Sequence, residues 1–362
     1  MPEDVGTAAG TLYQDMRSAH LTPLWTLEGD IMSTTPRPKS RPWMWKWSTL
    51  YDIAERAGRS VPVERGGDRR AIALSNPGLG GLPYATNTLW AAVQWLNGRE
   101  VAPAHRHTSN AVRFIIDGAG SYSTVDGDQV FLERGDLVLT PAWTWHDHGS
   151  ISQERAIWMD GLDIPLNNYL DASFFEPYPK ASQAPSGTLN GTVLKYGVGQ
   201  MRPAWEKPST SPPMSTYKWA DTERALTNLA QADASPFDDV ALEFTNPHTG
   251  SAVLPTLGCW IQLIRPGVRT RAHRHTGSAV YLAFEGHGST IIDGMRFDWG
   301  PGDMFVVPSW AFHEHWNASS ERAILFSIND LPVVAGLGKY REQPFDQGDG
   351  HQNIAGAFDS KA

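Results

Sequence analysis

Ala104-His105-Arg106-His107 opens a stretch that closes with Trp145-His146-Asp147-His148-Gly149. Successive side chains of an extended strand point to opposite faces, so residues i and i+2 share one. His105 and His107 therefore aim at one point from a single strand, and His146, arriving on a later strand, closes a three-imidazole site. Between them lie strand-like runs at 112–117 and 130–140, separated by turn signals at Asp117-Gly118, Asp126-Gly127 and Arg134-Gly135-Asp136. The pattern predicts an antiparallel barrel with a metal in its mouth.

The pattern returns. His273-Arg274-His275 is followed by apolar runs at 280–284 and 290–292, then by 302–308 and His313-Glu314-His315. The copies are offset by 168 residues at the first histidine and 167 at the third, and eight of the twelve histidines lie in these four His-x-His pairs. A period this long implies two copies of one domain, not a solenoid of short units.

Composition sets the outer limits. A chain of 362 residues can bury two cores of ordinary size. A net charge of −9 with no basic stripe argues against nucleic acid. The single cysteine, Cys259, rules out an internal disulfide framework, suits a reducing cytoplasm and sits in an apolar run where packing is the expected role. Met1-Pro2-Glu3-Asp4 lacks the basic and apolar regions of a signal peptide, and no apolar run approaches the roughly 20 residues a membrane span needs. A soluble, cytoplasmic protein is expected.

Along the chain, a short helix is expected over 11–19, then a Pro-rich stretch to Pro42, then a helix capped by Ser48, running to about Ala57 and stopped at Gly58. Residues 71–74 and 89–96 read as strands, and Asn76-Pro77-Gly78-Leu79-Gly80-Gly81 as a turn and not a phosphate cradle. Residues 165–215 read as a linker with wrapping segments, 222–231 as a helix, 232–250 as loop, and the tail beyond Gly338 as polar and peripheral.

Imidazole ligands without cysteine leave zinc, iron, manganese, copper and nickel open. Three neutral imidazoles leave half of an octahedral sphere free, which suits a metal that must hold a bidentate substrate and a third ligand together, and non-heme Fe(II) answers that need best. Counting by twos from His105 reaches Arg113 inside the same barrel, where a buried guanidinium requires an anion. That anion is an acidic substrate or, alternatively, a protein carboxylate such as Asp160. The matching position of the second copy is Tyr281, although Arg269 and Arg271 share parity with His273 and extend the anion question to that barrel. His148 shares a face with His146; it is a hydrogen-bond partner or proton relay for substrate, or a solvated histidine at the rim. Asp147 points the other way.

The run Gly98-Arg99-Glu100-Val101-Ala102-Pro103-Ala104-His105-Arg106-His107, with Gly135-Asp136, Pro141 and His146 behind it, resembles the two cupin motifs, as does Gly267 to His275 with Gly302, Pro308, His313 and Asn317. Ala111 and Ala279 stand where the usual motif glutamate ligand is expected. Two cupins with three histidines each resemble the gentisate 1,2-dioxygenase family, which includes salicylate and 1-hydroxy-2-naphthoate dioxygenases. The likeness extends to Trp45-Lys46-Trp47-Ser48-Thr49, Arg65-Gly66-Gly67, Arg69-Arg70, 76–81, 161–165 and 302–310.

The resemblance implies an all-β-dominated bicupin fold: two antiparallel jelly-roll β-barrels with an N-terminal helical or irregular extension. Residues 1–85 would pack on the barrels, 86–165 form the catalytic barrel, 166–250 link and wrap, 251–335 form the second barrel and 336–362 the tail. It implies Fe(II) on His105, His107 and His146, with Arg69, Trp90, Arg113, His148 and Asp160 around an aromatic hydroxy acid. His148, Arg113 and Asp160 would serve catalysis. A second metal is expected on His273, His275 and His313. The implied reaction is ring cleavage of gentisate by O2 to maleylpyruvate in a homotetramer, with salicylate or 1-hydroxy-2-naphthoate as alternative substrates. A non-enzymatic aromatic-acid binder of the same fold is the competing class.

Overall fold

The structure is a computed structural model that describes residues 3–27, 31–62, 70–197 and 202–359. Residues 1–37 and 38–362 are two compact units. In the first, a helix spans Glu3–Ser18, longer than the stretch expected from sequence, and Trp25 Nε1 donates to Tyr13 Oη at 3.2 Å.

The second unit contains two domains built alike from two facing sheets. In the first domain a six-stranded sheet runs Thr216–Tyr217, Leu137–Thr140, Ala111–Asp117, Ala156–Leu162, Trp90–Leu96, Ala71–Ala73. Its five-stranded partner runs Phe175–Pro177, Val101–His107, His146–Ser150, Ser121–Val125, Asp128–Leu132. The second domain repeats the order with Ala279–Glu285, Ala323–Asn329 and Gly258–Ile264 at the centre of one sheet and His273–His275 beside His313–Trp316 in the other. These are jelly-roll sandwiches whose sheets are not closed by a continuous ladder.

The large sheets of the two domains pack back to back, which explains why their central strands are buried on both faces and read as unbroken apolar runs. In Ala111–Asp117, Val112 and Phe114 face the other domain, and Phe114 stacks on Phe326 at 4.1 Å. Ile115 faces its own core, and Arg113 shares that parity. In Val101–His107 the register against His146–Ser150 shifts between Ala102 and His105. Pro103 lies in the shift, where no ladder N–H is needed. The shift turns the strand, so Ala102 fills the core while His105 and His107 both face the cavity.

Two arms lock the domains together. Trp43–Trp45 pairs with Met304–Val307 of the second domain, and Lys46 and the Trp47 N–H both reach Asp303 at 2.6 and 2.7 Å. Thr216–Tyr217 pairs with the first domain, and there Lys218 and the Trp219 N–H reach Asp136. Each arm precedes one domain in the chain and docks on the other.

Several local expectations are corrected. The helix expected from Ser48 to Gly58 spans Trp47–Ser60, its N-cap is Lys46, and its first N–H is held by Asp303 from 256 residues away rather than by Ser48. Gly58 lies inside it instead of stopping it, and there a Cβ would lie 2.5 Å from the Trp95 ring nitrogen. Within 232–250, expected as loop, Val240–Glu243 forms an edge strand on Gly258–Ile264. The C-terminal segment is not peripheral: Glu342–Pro344 pairs with His273–His275, and Gln352 is buried by its bonds to Ile291 O, Gly294 N and Glu314. Among the described residues no helix is long and apolar enough to cross a membrane.

Candidate metal centre and acid pocket

His105, His107 and His146 converge as their spacing predicts. Their ring centroids are 4.2, 4.8 and 5.4 Å apart pairwise, and one ligand atom from each lies within 4.8 Å of the others. His105 and His146 sit opposite each other in register. Each Nδ1 faces a backbone carbonyl: Pro103 at 3.1 Å, Ser109 at 2.8 Å, Thr144 at 3.0 Å. A carbonyl only accepts, so Nδ1 carries the proton and Nε2 presents its lone pair inward. Three neutral nitrogen donors oriented from behind fit a divalent transition metal, and a cavity of about 240 Å³ opens onto His105 and His107.

Arg113 lines that cavity, as do Trp90, Asp160, Gln94 and Phe175. The residue is 4 % exposed; Nε stands 3.0 Å from Asp160 Oδ1 and Nη1 donates to Thr140 Oγ1 at 2.8 Å. Burial pulls its pKa below the ordinary arginine value, and the Asp160 charge opposes that. The internal pairing offered as an alternative from sequence is therefore present, and the same side chain still borders the cavity. Asp160 also accepts from Trp158 Nε1 at 3.1 Å.

His148 is buried beside His146, its ring 5.7 Å away and its Nδ1 2.5 Å from Ser123 Oγ, so the solvated-rim reading is set aside, although it is not among the residues that line the cavity. Asp147 faces away and accepts from the Gln183 N–H at 2.8 Å, as parity predicts. Arg69 lies outside the described residues.

Sequence reasoning does not single out Gln94 or Phe175. Gln94 shares parity with Trp90, and counting by twos finds it. Phe175 stacks on His105 at 5.1 Å, but it belongs to a three-residue strand inside the expected linker and is placed only by pairing opposite His107.

The second triad also converges, with ligand atoms within 4.8 Å. Burial, then the neighbouring His275 and His315, pull the His273 pKa down to about 3, and burial pulls His313 well below its ordinary value. Both are neutral donors at physiological pH. Tyr281 stands in place of Arg113, stacked on Phe305 at 4.9 Å. Arg269, expected from parity to meet anions there, is instead bound to buried Glu314 at 2.9 Å, and Arg271 is exposed. The chain is not a regular strand before His273, so counting by twos fails.

A sequence profile described as "Cupin domain" matches residues 93–164 and 260–329. The chain is 40 % identical to a 5-aminosalicylate 1,2-dioxygenase of Comamonas sp over 99 % of this chain and 96 % of that protein. It is 41 % identical to a gentisate 1,2-dioxygenase of Streptomyces sp, covering 91 % and 94 % of the two chains. A solved salicylate 1,2-dioxygenase of Pseudoaminobacter salicylatoxidans, an adduct with gentisate, superimposes with a TM-score of 0.90 at 37 % identity, covering 96 % of each chain. With two cupin domains, a histidine triad in each, and this similarity along its length, the chain belongs to the gentisate 1,2-dioxygenase family.

Proposed function

We propose that the first domain is an Fe(II)-dependent dioxygenase centre that opens the ring of gentisate between the carboxylated carbon and the adjacent hydroxylated one. The carrying observation is that a buried guanidinium and two imidazoles of a converging three-histidine cluster, His105 and His107, border one cavity of about 240 Å³. Gentisate plus O2 gives maleylpyruvate, with both oxygen atoms retained in the product. His105, His107 and His146 would hold the iron, which when bound brings acid and dioxygen together and relays electrons from ring to oxygen. Imidazole nitrogens suit iron without selecting it over manganese or copper, so the reaction class carries that choice.

Arg113, pre-oriented by Asp160 and Thr140, binds and orients the substrate carboxylate, with Arg69 as its expected helper. Trp90 and Phe175 wall the ring. His148, backed by Ser123, holds or takes a proton from a substrate hydroxyl. The relatives' names favour a second reading at the level of substrate. A 5-aminosalicylate and a salicylate enzyme share this architecture, and all these acids present a carboxylate beside a hydroxyl. The test is kcat/KM of iron-loaded protein on gentisate, 5-aminosalicylate, salicylate and 1-hydroxy-2-naphthoate. Gentisate should lead. Leadership by another acid moves the assignment within the family, and binding of all four without oxygen uptake makes the protein a binder.

A further inference from the structure

His105 and His107 are separated by Arg106, which does not line the cavity and whose side chain is only 26 % exposed. Its guanidinium carbon stands 4.4 Å from the ring centroids of both Trp143 and Trp145. Its Nε and Nη2 donate to one oxygen of Glu176, Oε2, at 2.8 and 2.6 Å. The Trp143 N–H donates to the His107 carbonyl at 2.8 Å, and Trp143 has φ +64°, a left-handed conformation that a bulky residue keeps only where its surroundings hold it. Trp143 and Trp145 lie in the turn that leads into His146, whose Nδ1 faces the carbonyl of Thr144 between them. Glu176 lies opposite Arg106 in register, and Phe175 beside it lies opposite His107.

The second domain repeats this arrangement 168 residues on. Arg274, between His273 and His275, stands 4.6 Å from the Trp310 ring and 4.3 Å from that of Phe312, and its Nε and Nη2 donate to Oε1 of Gln343 at 3.0 and 2.6 Å. The Trp310 N–H donates to the His275 carbonyl at 2.8 Å, and Trp310 has φ +67°. Gln343 lies opposite Arg274 as Glu176 lies opposite Arg106. The acceptor changes from carboxylate to amide while the two rings, the fork and the left-handed tryptophan are kept. Charge is therefore not what the contact needs, and at a glutamate side chain 46 % exposed it adds little.

The two ligand-bearing strands of the first domain pair at Val101–Gly149, Ala102–His148 and His105–His146, and the ladder ends at that last pair. Beyond it, His107 is tied to the approach to His146 by the turn that Arg106 grips. We infer that Arg106 is a positioning residue for the first triad and its aromatic wall: it fastens the strand of His105 and His107 to the turn that delivers His146 and to the edge strand that carries Phe175. The inference rests on the proposed reading that this triad holds the metal. A flat guanidinium stacks on rings and forks onto one acceptor at once; an ammonium keeps the charge and loses the planar fork.

The test uses full-length protein stripped by chelator and titrated with Co(II); the visible bands lost in His146→Ala report the first triad. Arg106→Met should weaken that ion by about 10-fold or more and change its bands, because the three ligands no longer keep their geometry. A residue that only stabilised the fold would lower the urea midpoint and leave both unchanged in the folded protein. Arg106→Lys should recover neither, and it decides the question if Arg106→Met does not fold. Glu176→Ala should loosen the edge strand and weaken salicylate binding to the Co(II) protein by about 2- to 13-fold, the range for losing the Phe175 ring; Glu176→Gln should restore it, as the amide serves in the second domain. Wild-type Co(II) affinity and bands in Arg106→Met, or their full recovery in Arg106→Lys, overturn the inference, as does wild-type salicylate binding in Glu176→Ala or no restoration in Glu176→Gln. The Arg106→Met defect in a protein without oxygen uptake would refute the proposed function and leave this inference standing; wild-type Co(II) binding by that variant of an active protein would do the reverse.

Discussion

Replacing Arg113 with methionine separates the role the structure shows for its guanidinium, pairing with Asp160, from the role proposed for it, binding the substrate carboxylate. Arg113 and Asp160 are both nearly fully buried and 3.0 Å apart. Removing the cation leaves a buried carboxylate without its counter-charge, which costs about 3–5 kcal/mol of stability. If the same guanidinium also binds the substrate carboxylate, its loss weakens acid binding by about 2–5 kcal/mol, roughly 30-fold in Kd at the lower end. The double variant Arg113→Met/Asp160→Asn removes the stranded charge. It should regain most of the stability, because a neutral amide replaces the buried carboxylate, yet bind acid as weakly as the single variant. Urea unfolding gives the first quantity and anaerobic titration with gentisate the second. Wild-type affinity in either variant would refute the reasoning, because Arg113 would then serve Asp160 alone.

Three further outcomes follow from the geometry. Gly135 has φ +88° and an added Cβ would lie 2.6 Å from the Trp219 ring, so Gly135→Ala should destabilise the chain by about 2 kcal/mol or more; an unchanged urea midpoint would mean the arm does not rest on this turn. Phe175→Ala removes an aromatic wall and should weaken acid binding by about 0.5–1.5 kcal/mol, roughly 2- to 13-fold, with iron content unchanged; equal affinity by titration would remove Phe175 from the pocket. Burial raises the Asp163 pKa, opposed by bonds from Thr256 and Asn110. A carboxyl raised on folding contributes stability that is full below its unfolded value and lost as pH rises through the folded one. The urea midpoint of wild type minus that of Asp163→Asn should therefore fall as pH rises from about 4, and a difference that grows with pH would contradict this.

What the sequence made legible depended on how local the cause was. The His-x-His pairs could be read because strand parity and repetition are local properties, and both triads converge as parity predicts. Arg113 does border the cavity, yet the count of twos that reached it runs across a break, because Val101–His107 and Ala111–Asp117 are separate strands in the two facing sheets joined by residues 108–110. Arg269 and Arg271 were misplaced because the backbone before His273 is irregular. The start of the helix at Trp47 is not legible because the carboxylate that holds its first N–H, Asp303, belongs to the other domain. Phe175 was missed because a short edge strand carries no periodic signal, and pairing across the fold alone sets it beside the histidines. The C-terminal segment looked peripheral by composition; its polar residues are ordered by buried Glu314 and by the sheet edge they complete.

The central claim is that the first triad carries a redox-active ion open to an aromatic hydroxy acid and dioxygen. Its most direct test follows gentisate absorbance and dissolved oxygen together, in iron-loaded wild type and in His146→Ala. The account predicts that wild type consumes acid and oxygen one for one and that the variant, folded but lacking iron in the first domain, consumes neither. Undiminished turnover in His146→Ala, or loss of gentisate without oxygen consumption, would contradict it.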